Sequence, residues 1–411
     1  MEDFTLCLNL LGTNTYSEIP AECFSEGQPM KCTPFGIRAH MGLGLPPSVP
    51  VSYKNNDMML FLVGNVYNLD SLWNSYVKRR VSEEPIVYPS KLVLLLKLYC
   101  VYGIDYLLQL LDGEFSMVLV DQRVEQSETK MYVVRDAMGT QPLYVSSGKG
   151  GELFLISTTP CLHSGELVPP GTFYKYSLPH KVQTKWSYTS SHVHYMLGRS
   201  GNVCLEVGGL MNYLEYAVEK RMFCPSATIA PDEPNPKSKP TILCIGRRGG
   251  GDGEYSETWV DPEYSLLCSV LDRVCKKHGW TLICRDNTDL ALETLDVHTT
   301  KVFMSSFVVQ TEMNIIRAIS DQNPKSGSPR PLNHYTHPSI QYDYEFRNRL
   351  KRIGSDMLVP WENRFKTYGF KVEFPLLDTF WIEYYLSLKP KYRFENTIQK
   401  LLTETSFDSN V

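Results

Sequence analysis

Two apolar runs, set close together and each bounded by residues that force a turn, limit this chain more than any other feature. Residues 110–121 read Leu-Leu-Asp-Gly-Glu-Phe-Ser-Met-Val-Leu-Val-Asp, and residues 133–144 read Val-Val-Arg-Asp-Ala-Met-Gly-Thr-Gln-Pro-Leu-Tyr. Residues 115–120 and 131–134 are expected strands, separated by a polar turn region rich in Gln, Glu and Ser. Asp112-Gly113 marks a helix-to-strand turn. Arg135, Asp136 and Gly139 form a second turn, and Pro142 restarts an extended segment. Residues 58–63, ended by Gly64, and residues 153–157 read as further strands. Residues 90–102 carry apolar side chains at helical spacing, with Ser90 as N-cap. Strands face to face with helices outside suit a layered α+β domain.

The second half is patterned differently. Pro169-Pro170-Gly171 is a turn before a strand at 172–176, in an otherwise weakly patterned stretch from 161 to 203. Residues 204–221 read as a helix on the spacing of Leu210, Leu214, Ala217 and Val218. Five prolines between 225 and 240 predict an extended loop. A strand at 241–245, a Gly-rich segment, a helix at 262–278 and a strand at 280–284 make a βαβ order. A Pro/Gly/His-rich loop follows at 326–338, and the remainder from Asp343 is expected to be mostly helical.

Composition removes several function classes. The chain has 411 residues, 43% of them hydrophobic, which suggests two domains. A net charge of −4 leaves no electrostatic footprint for nucleic acid. The longest apolar tract, 92–111, is interrupted by Lys97, Asp105 and Gln109, so a buried amphipathic helix is expected rather than a membrane span. Glu2 and Asp3 stand where a signal peptide would carry basic residues. The 11 cysteines are scattered without CxxC pairs and read as reduced core thiols of a cytoplasmic protein. His334 and His337, with no Cys partner, do not make a metal site, and none is assigned.

The two opening motifs resemble the glutamine amidotransferase half of the asparagine synthetase family. Val63-Gly-Asn-Val-Tyr-Asn68 sits where that family has Asn-Gly-Glu-Ile-Tyr-Asn. Tyr368-Gly-Phe-Lys-Val-Glu-Phe-Pro-Leu-Leu-Asp378 resembles its Gly-Leu-Glu-x-Arg-Val-Pro-Phe-Leu-Asp segment, and residues 384–388 and 398–402 continue the match in order. The resemblance implies a four-layer αββα amidotransferase-like domain over 1–200. It also implies an α/β, largely helical ATP-pyrophosphatase-like synthetase domain over 204–411, divergent and shortened. A homodimer is implied by the family.

The departures bear on chemistry. The family's nucleophile is a Cys behind the initiator Met, and here Glu2 occupies that position, so covalent catalysis lacks its atom. Cys7 lies on an expected strand and reads as a core thiol. Val63 replaces the oxyanion-hole Asn, leaving Gly64 as a vestige; a lost donor of this kind costs about 3 kcal/mol of transition-state stabilisation. Arg38 and Asn65 are the remaining substrate-binding candidates. In the synthetase half, Gly249, Gly250, Gly251 and Asp252, flanked by Arg247 and Arg248, stand near a phosphate loop whose spacing they do not reproduce. Lys400 matches a phosphate-meeting lysine. Lys371 and Glu373 swap the charges of the family's C-terminal motif, which preserves an ion pair and loses substrate contacts, while Asp378 is kept. The expectation is an asparagine-synthetase-like pseudo-enzyme, without glutaminase or ATP-dependent synthetase activity, retained for binding a macromolecular partner or for structure. The alternative is an amide ligase using free ammonia, with ATP and magnesium as its cofactors.

Overall fold

A computed structural model of the chain describes the backbone of residues 4–9, 30–32, 37–41, 51–53, 58–77, 91–123, 129–147, 153–158, 165–178, 182–188, 203–223, 240–246, 262–286, 292–297, 299–306 and 358–387, with isolated positions between 308 and 353. It divides into two compact units, Met1–Ser191 with Cys224–Asp232, and His192–Phe223 with Glu233–Val411. The fold is mixed, with sheets and helices in both.

The first unit holds twelve described strands: β1 (Phe4–Asn9), β2 (Met30–Cys32), β3 (Ile37–Met41), β4 (Val51–Tyr53), β5 (Met58–Val66), β6 (Gly113–Asp121), β7 (Thr129–Arg135), β8 (Tyr144–Ser147), β9 (Leu153–Ser157), β10 (Glu166–Leu167), β11 (Thr172–Leu178) and β12 (Val182–Ser187). Two antiparallel sheets result. Sheet A has the order β10-β8-β9-β1-β3-β2, and sheet B the order β12-β11-β7-β6-β5-β4. Sheet B is apolar on both faces because both are covered. Met58, Leu60 and Leu62 of β5, Phe115, Met117 and Leu119 of β6, and Tyr132 and Val134 of β7 belong to one buried cluster, together with residues of the helices. The intervening Met59, Phe61, Val63, Val118, Val120, Met131 and Val133 belong to another, shared with Val145 of β8 and Ile156 of β9. The period of two thus assigns alternate side chains to the helical layer and to sheet A.

The helical layer is α1 (Leu69–Leu72) and α2 (Lys91–Leu110). The latter outruns the helix expected at 90–102, with an internal break at Gly103, where φ is 75°. Glycine alone adopts that conformation cheaply, which is why the helical pattern stops legibly at Tyr102. Residues 93–110 are long and apolar enough to cross a membrane by length and composition. In this fold Leu94, Leu95, Leu98, Leu107 and Leu108 are buried in the cluster beneath sheet B. The Tyr99 hydroxyl donates to Asp121 Oδ2 at 2.7 Å, which ties α2 to the end of β6.

The second unit contains α3 (Val203–Phe223), β13 (Thr241–Gly246), α4 (Pro262–His278), β14 (Thr281–Asp286), β15 (Thr300–Met304), α5 (Val359–Lys366), β16 (Val372–Glu373) and α6 (Thr379–Ser387). The expected βαβ is β13-α4-β14, and its strands pair in parallel from Thr241↔Thr281 to Gly246↔Asp286. Sequence reading missed β15 and β16, which complete a parallel sheet of order β14-β13-β15-β16. The tail is therefore not wholly helical, because β16 interrupts it.

Candidate functional site

In the first unit the candidate site is the crossing of β5 and β6. Register places Val63 opposite Ser116, Gly64 opposite Phe115 and Asn65 opposite Glu114. Gly64 has φ 95°, and a Cβ there would lie 2.0 Å from the Glu114 carbonyl oxygen. A Cβ on Gly113 would lie 2.3 Å from the Asn65 carbonyl oxygen. The two backbones are in contact, so both glycines are required by packing. Asn65 and Glu114 are buried here. Val63 is 6% exposed and packs among apolar side chains of the inter-sheet cluster. Asn68 fastens the adjoining turn: its Nδ2 donates to the Leu110 carbonyl at 2.7 Å, and its Oδ1 accepts from the Asp112 amide at 3.0 Å. This satisfies carbonyl and amide groups left over at the end of α2.

The Arg135–Asp136 turn adjoins the crossing: Gln141 Cγ would lie 3.0 Å from a Cβ on Gly64. Arg135 is fully buried, and its guanidinium donates to three carbonyls, Gln141 at 2.9 Å, Val168 at 2.8 Å and Gly139 at 2.5 Å. Asp136 accepts from the amides of Met138 and Thr140 at 3.1 Å and of Gln141 at 3.0 Å. Burial pushes its carboxyl above the usual range, opposed by the charge of Arg135 and by the amides. The Ser116 hydroxyl donates to the carbonyls of Gln141 and Pro142. The motif most suggestive of chemistry is spent on holding its own loop.

Among the other sequence candidates, Arg38 is on β3 opposite Cys7 of β1 and Lys31 of β2. Glu2, Gly249, Gly250, Gly251, Asp252 and Lys400 lie outside the described residues, as do His334, His337 and, but for Pro240, the Pro-rich segment at 225–240.

In the second unit, open parallel sheets take ligands beyond the carboxyl ends of their strands, where the strand order reverses. That point falls between β13 and β15. There the Ser305 amide donates to the Ile245 carbonyl at 3.3 Å, and the Ser306 amide donates to Glu263 Oε2 at 3.2 Å. Glu263 is in the first turn of α4 and fully buried. A Cβ on Gly246 would lie 2.0 Å from the Tyr264 ring. Sequence reading missed Glu263, Tyr264, Ser305 and Ser306, which only the fold brings together. Among the described residues the buried Ser306 hydroxyl has no hydrogen-bond partner. A buried carboxylate lies in the first turn of α4, where phosphate binding would need free amides, and an aromatic ring rests on the last glycine of β13.

The C-terminal motif is likewise structural. Asp378 Oδ2 pairs with Lys220 and, at 3.0 Å, with Arg221 at the end of α3. Its Oδ1 accepts from the Phe380 amide at 3.0 Å, capping α6. Lys371 meets Glu373 at 2.9 Å, so the charge-swapped pair is formed. Burial acts to raise both carboxyls, but Lys220 and Arg221 hold Asp378 below its usual value, and Lys371 and Arg221 do the same for Glu373.

Residues 43–195 match a family model described as a glutamine amidotransferase domain. An asparagine synthetase [glutamine-hydrolyzing] of Arabidopsis thaliana is 29% identical over 133 residues, 31% of this chain and 21% of that protein. One of Asparagus officinalis is 30% identical over 129 residues, 30% of this chain and 20% of that protein. One of Lotus japonicus is 21% identical over 398 residues, 87% of this chain and 64% of that protein. The first relatives are thus matched over about a fifth of their own length. A solved structure described as the allosteric regulatory enzyme of purine biosynthesis aligns with 84% of this chain and 82% of its own, at 12% identity and a TM-score of 0.32, too low to carry an argument. The paired strands β5 and β6 and the Arg135–Asp136 turn lie within residues 43–195, so this part of the chain is similar to a glutamine amidotransferase domain, and the chain is similar to asparagine synthetases.

Proposed function

We propose that this protein is a pseudo-enzyme, without glutaminase or ATP-dependent synthetase activity, retained for binding a macromolecular partner. The observation that carries this reading is Val63. It stands in the oxyanion-donor position, and its side chain is buried in the inter-sheet core. Tetrahedral intermediates of acyl transfer need a donor aimed at the developing oxyanion. Gly64, the surviving member of the pair, is accounted for by steric contact with Glu114. Glu263 and Tyr264 support the same reading for the second half. The reading extends to a helical layer on the outer face of sheet A, completing αββα, and to domains at 1–200 and 204–411. It also extends to a cytoplasmic location and a homodimer. The test is glutamate release from glutamine by the purified protein against a heat-killed control, run beside pyrophosphate release with aspartate, ammonia, ATP and magnesium. Neither product is expected. Pyrophosphate without glutamate would establish the ammonia-dependent ligase instead.

A further inference from the structure

Three cysteines of the second unit converge outside the switch point. Cys244 lies on β13 and Cys284 directly opposite it on β14, the edge strand of the sheet. Cys268, on α4, packs over both: its sulfur is 3.5 Å from Cys244 Sγ and 3.2 Å from Cys284 Sγ. Access differs along the row, with Cys284 exposed, Cys268 half-buried and Cys244 buried. No group of three or more His, Cys, Asp or Glu among the described residues is disposed to hold a metal ion. The arrangement is therefore one of thiol chemistry.

We propose that Cys284 and Cys268 are a peroxide-responsive dithiol, with Cys284 the sulfur attacked first and Cys268 the resolving partner. Cys284 thiolate attacks one oxygen of hydrogen peroxide; the O–O bond breaks, hydroxide leaves and takes up a proton, and Cys284 becomes a sulfenic acid. Cys268 then attacks that sulfur, the S–O bond breaks, and water leaves as the disulfide forms. The two sulfurs together give up two electrons and two protons, and peroxide becomes two waters. A dithiol reductant reverses the change. Hydrogen bonds from the Cys244 and Cys268 thiols favour the thiolate of Cys284, the form that reacts. Contraction from 3.2 Å to a bond of about 2.05 Å is a side-chain movement. The bond would fasten α4 to the sheet edge one helical turn from Tyr264, whose ring rests on Gly246. The switch point would be held in its present shape under oxidation.

The experiment uses the full chain, reduced, freed of reductant and exposed to a few equivalents of hydrogen peroxide. Free thiols are then alkylated and the digest is mapped by mass spectrometry. A linked pair of peptides carrying Cys268 and Cys284 is expected before any other cysteine is modified, with Cys284 consumed about tenfold faster than buried Cys275. In C268S, dimedone should trap a sulfenic acid on Cys284. Should C268S fail to fold, the wild-type map decides alone. The proposal is overturned if Cys284 stays alkylatable while other cysteines oxidise, if Cys268 links to Cys244, or if Cys284 links only between molecules.

Discussion

Replacing Gly64 with alanine isolates the steric argument at the candidate site. The added Cβ would lie 2.0 Å from a backbone oxygen of the neighbouring strand, at a residue whose φ is 95°. The left-handed backbone costs a non-glycine residue about 1–2 kcal/mol. Forcing apart two paired strands adds roughly 1–3 kcal/mol of overpacking. Together they make about 2–5 kcal/mol, a large part of what holds a domain folded. Gly103 is the control: its φ is 75°, and a Cβ there meets nothing within 4 Å, so Gly103→Ala should cost only the backbone part. Urea denaturation followed by circular dichroism reads the difference. With a slope of about 2 kcal/mol per molar, Gly64→Ala should lower one transition by about 1–2.5 M and leave any transition of the second unit in place. If Gly64→Ala costs no more than Gly103→Ala, close strand contact is not why glycine stands there, and a chemical reason for keeping it regains force.

Installing a cysteine nucleophile alone, as Glu2→Cys, should produce no glutamate from glutamine, because Val63 still offers no donor; release above a heat-killed control would contradict this. Asp378→Ala should destabilise the second unit by about 3–5 kcal/mol, since Arg221 and Lys220 would lose the buried carboxylate they share; thermal or urea unfolding measures it. The Asp378 and Glu373 carboxyls titrate in the folded chain below their unfolded values of 3.8 and 4.5. Their contribution is therefore complete above those values and disappears as the pH falls through the folded ones, so Asp378→Asn should flatten the acid limb of a stability-against-pH curve. Calorimetry with ATP and magnesium should register no tight binding. Low-micromolar affinity abolished by changes at Gly250 and Asp252 would favour the ligase.

The legibility of the chain follows its burial pattern. β5, β6 and β7 could be read because both of their faces are covered, so apolar residues run unbroken to Gly64, Asp121 and Arg135. β12 could not: Gln183, Thr184, Lys185 and Trp186 are exposed on an edge, where nothing imposes a pattern. β15 hid behind Lys301, a charge at the second position of a five-residue strand. Its Nζ donates to the carbonyls of Arg221 and Met222 at the end of α3, a reason that exists only after folding. The candidate site divides in the same way. Gly64 was found by motif, but its cause is the register with Phe115. Glu263 and Ser306 lie 43 residues apart and meet only through the parallel sheet.

The three carbonyls held by Arg135 have a consequence for anything that docks beside them. A recognition loop that waits for its occupant must be ordered by it, and the ordering is subtracted from affinity. This loop is held by a guanidinium that water does not reach, so its shape is the same whether or not something docks against it. A molecule settling there would meet a finished wall and would find no second conformation to select, and its arrival would go unfelt elsewhere in the sheet. Such a rim suits a fixed docking face and is poorly suited to a relay.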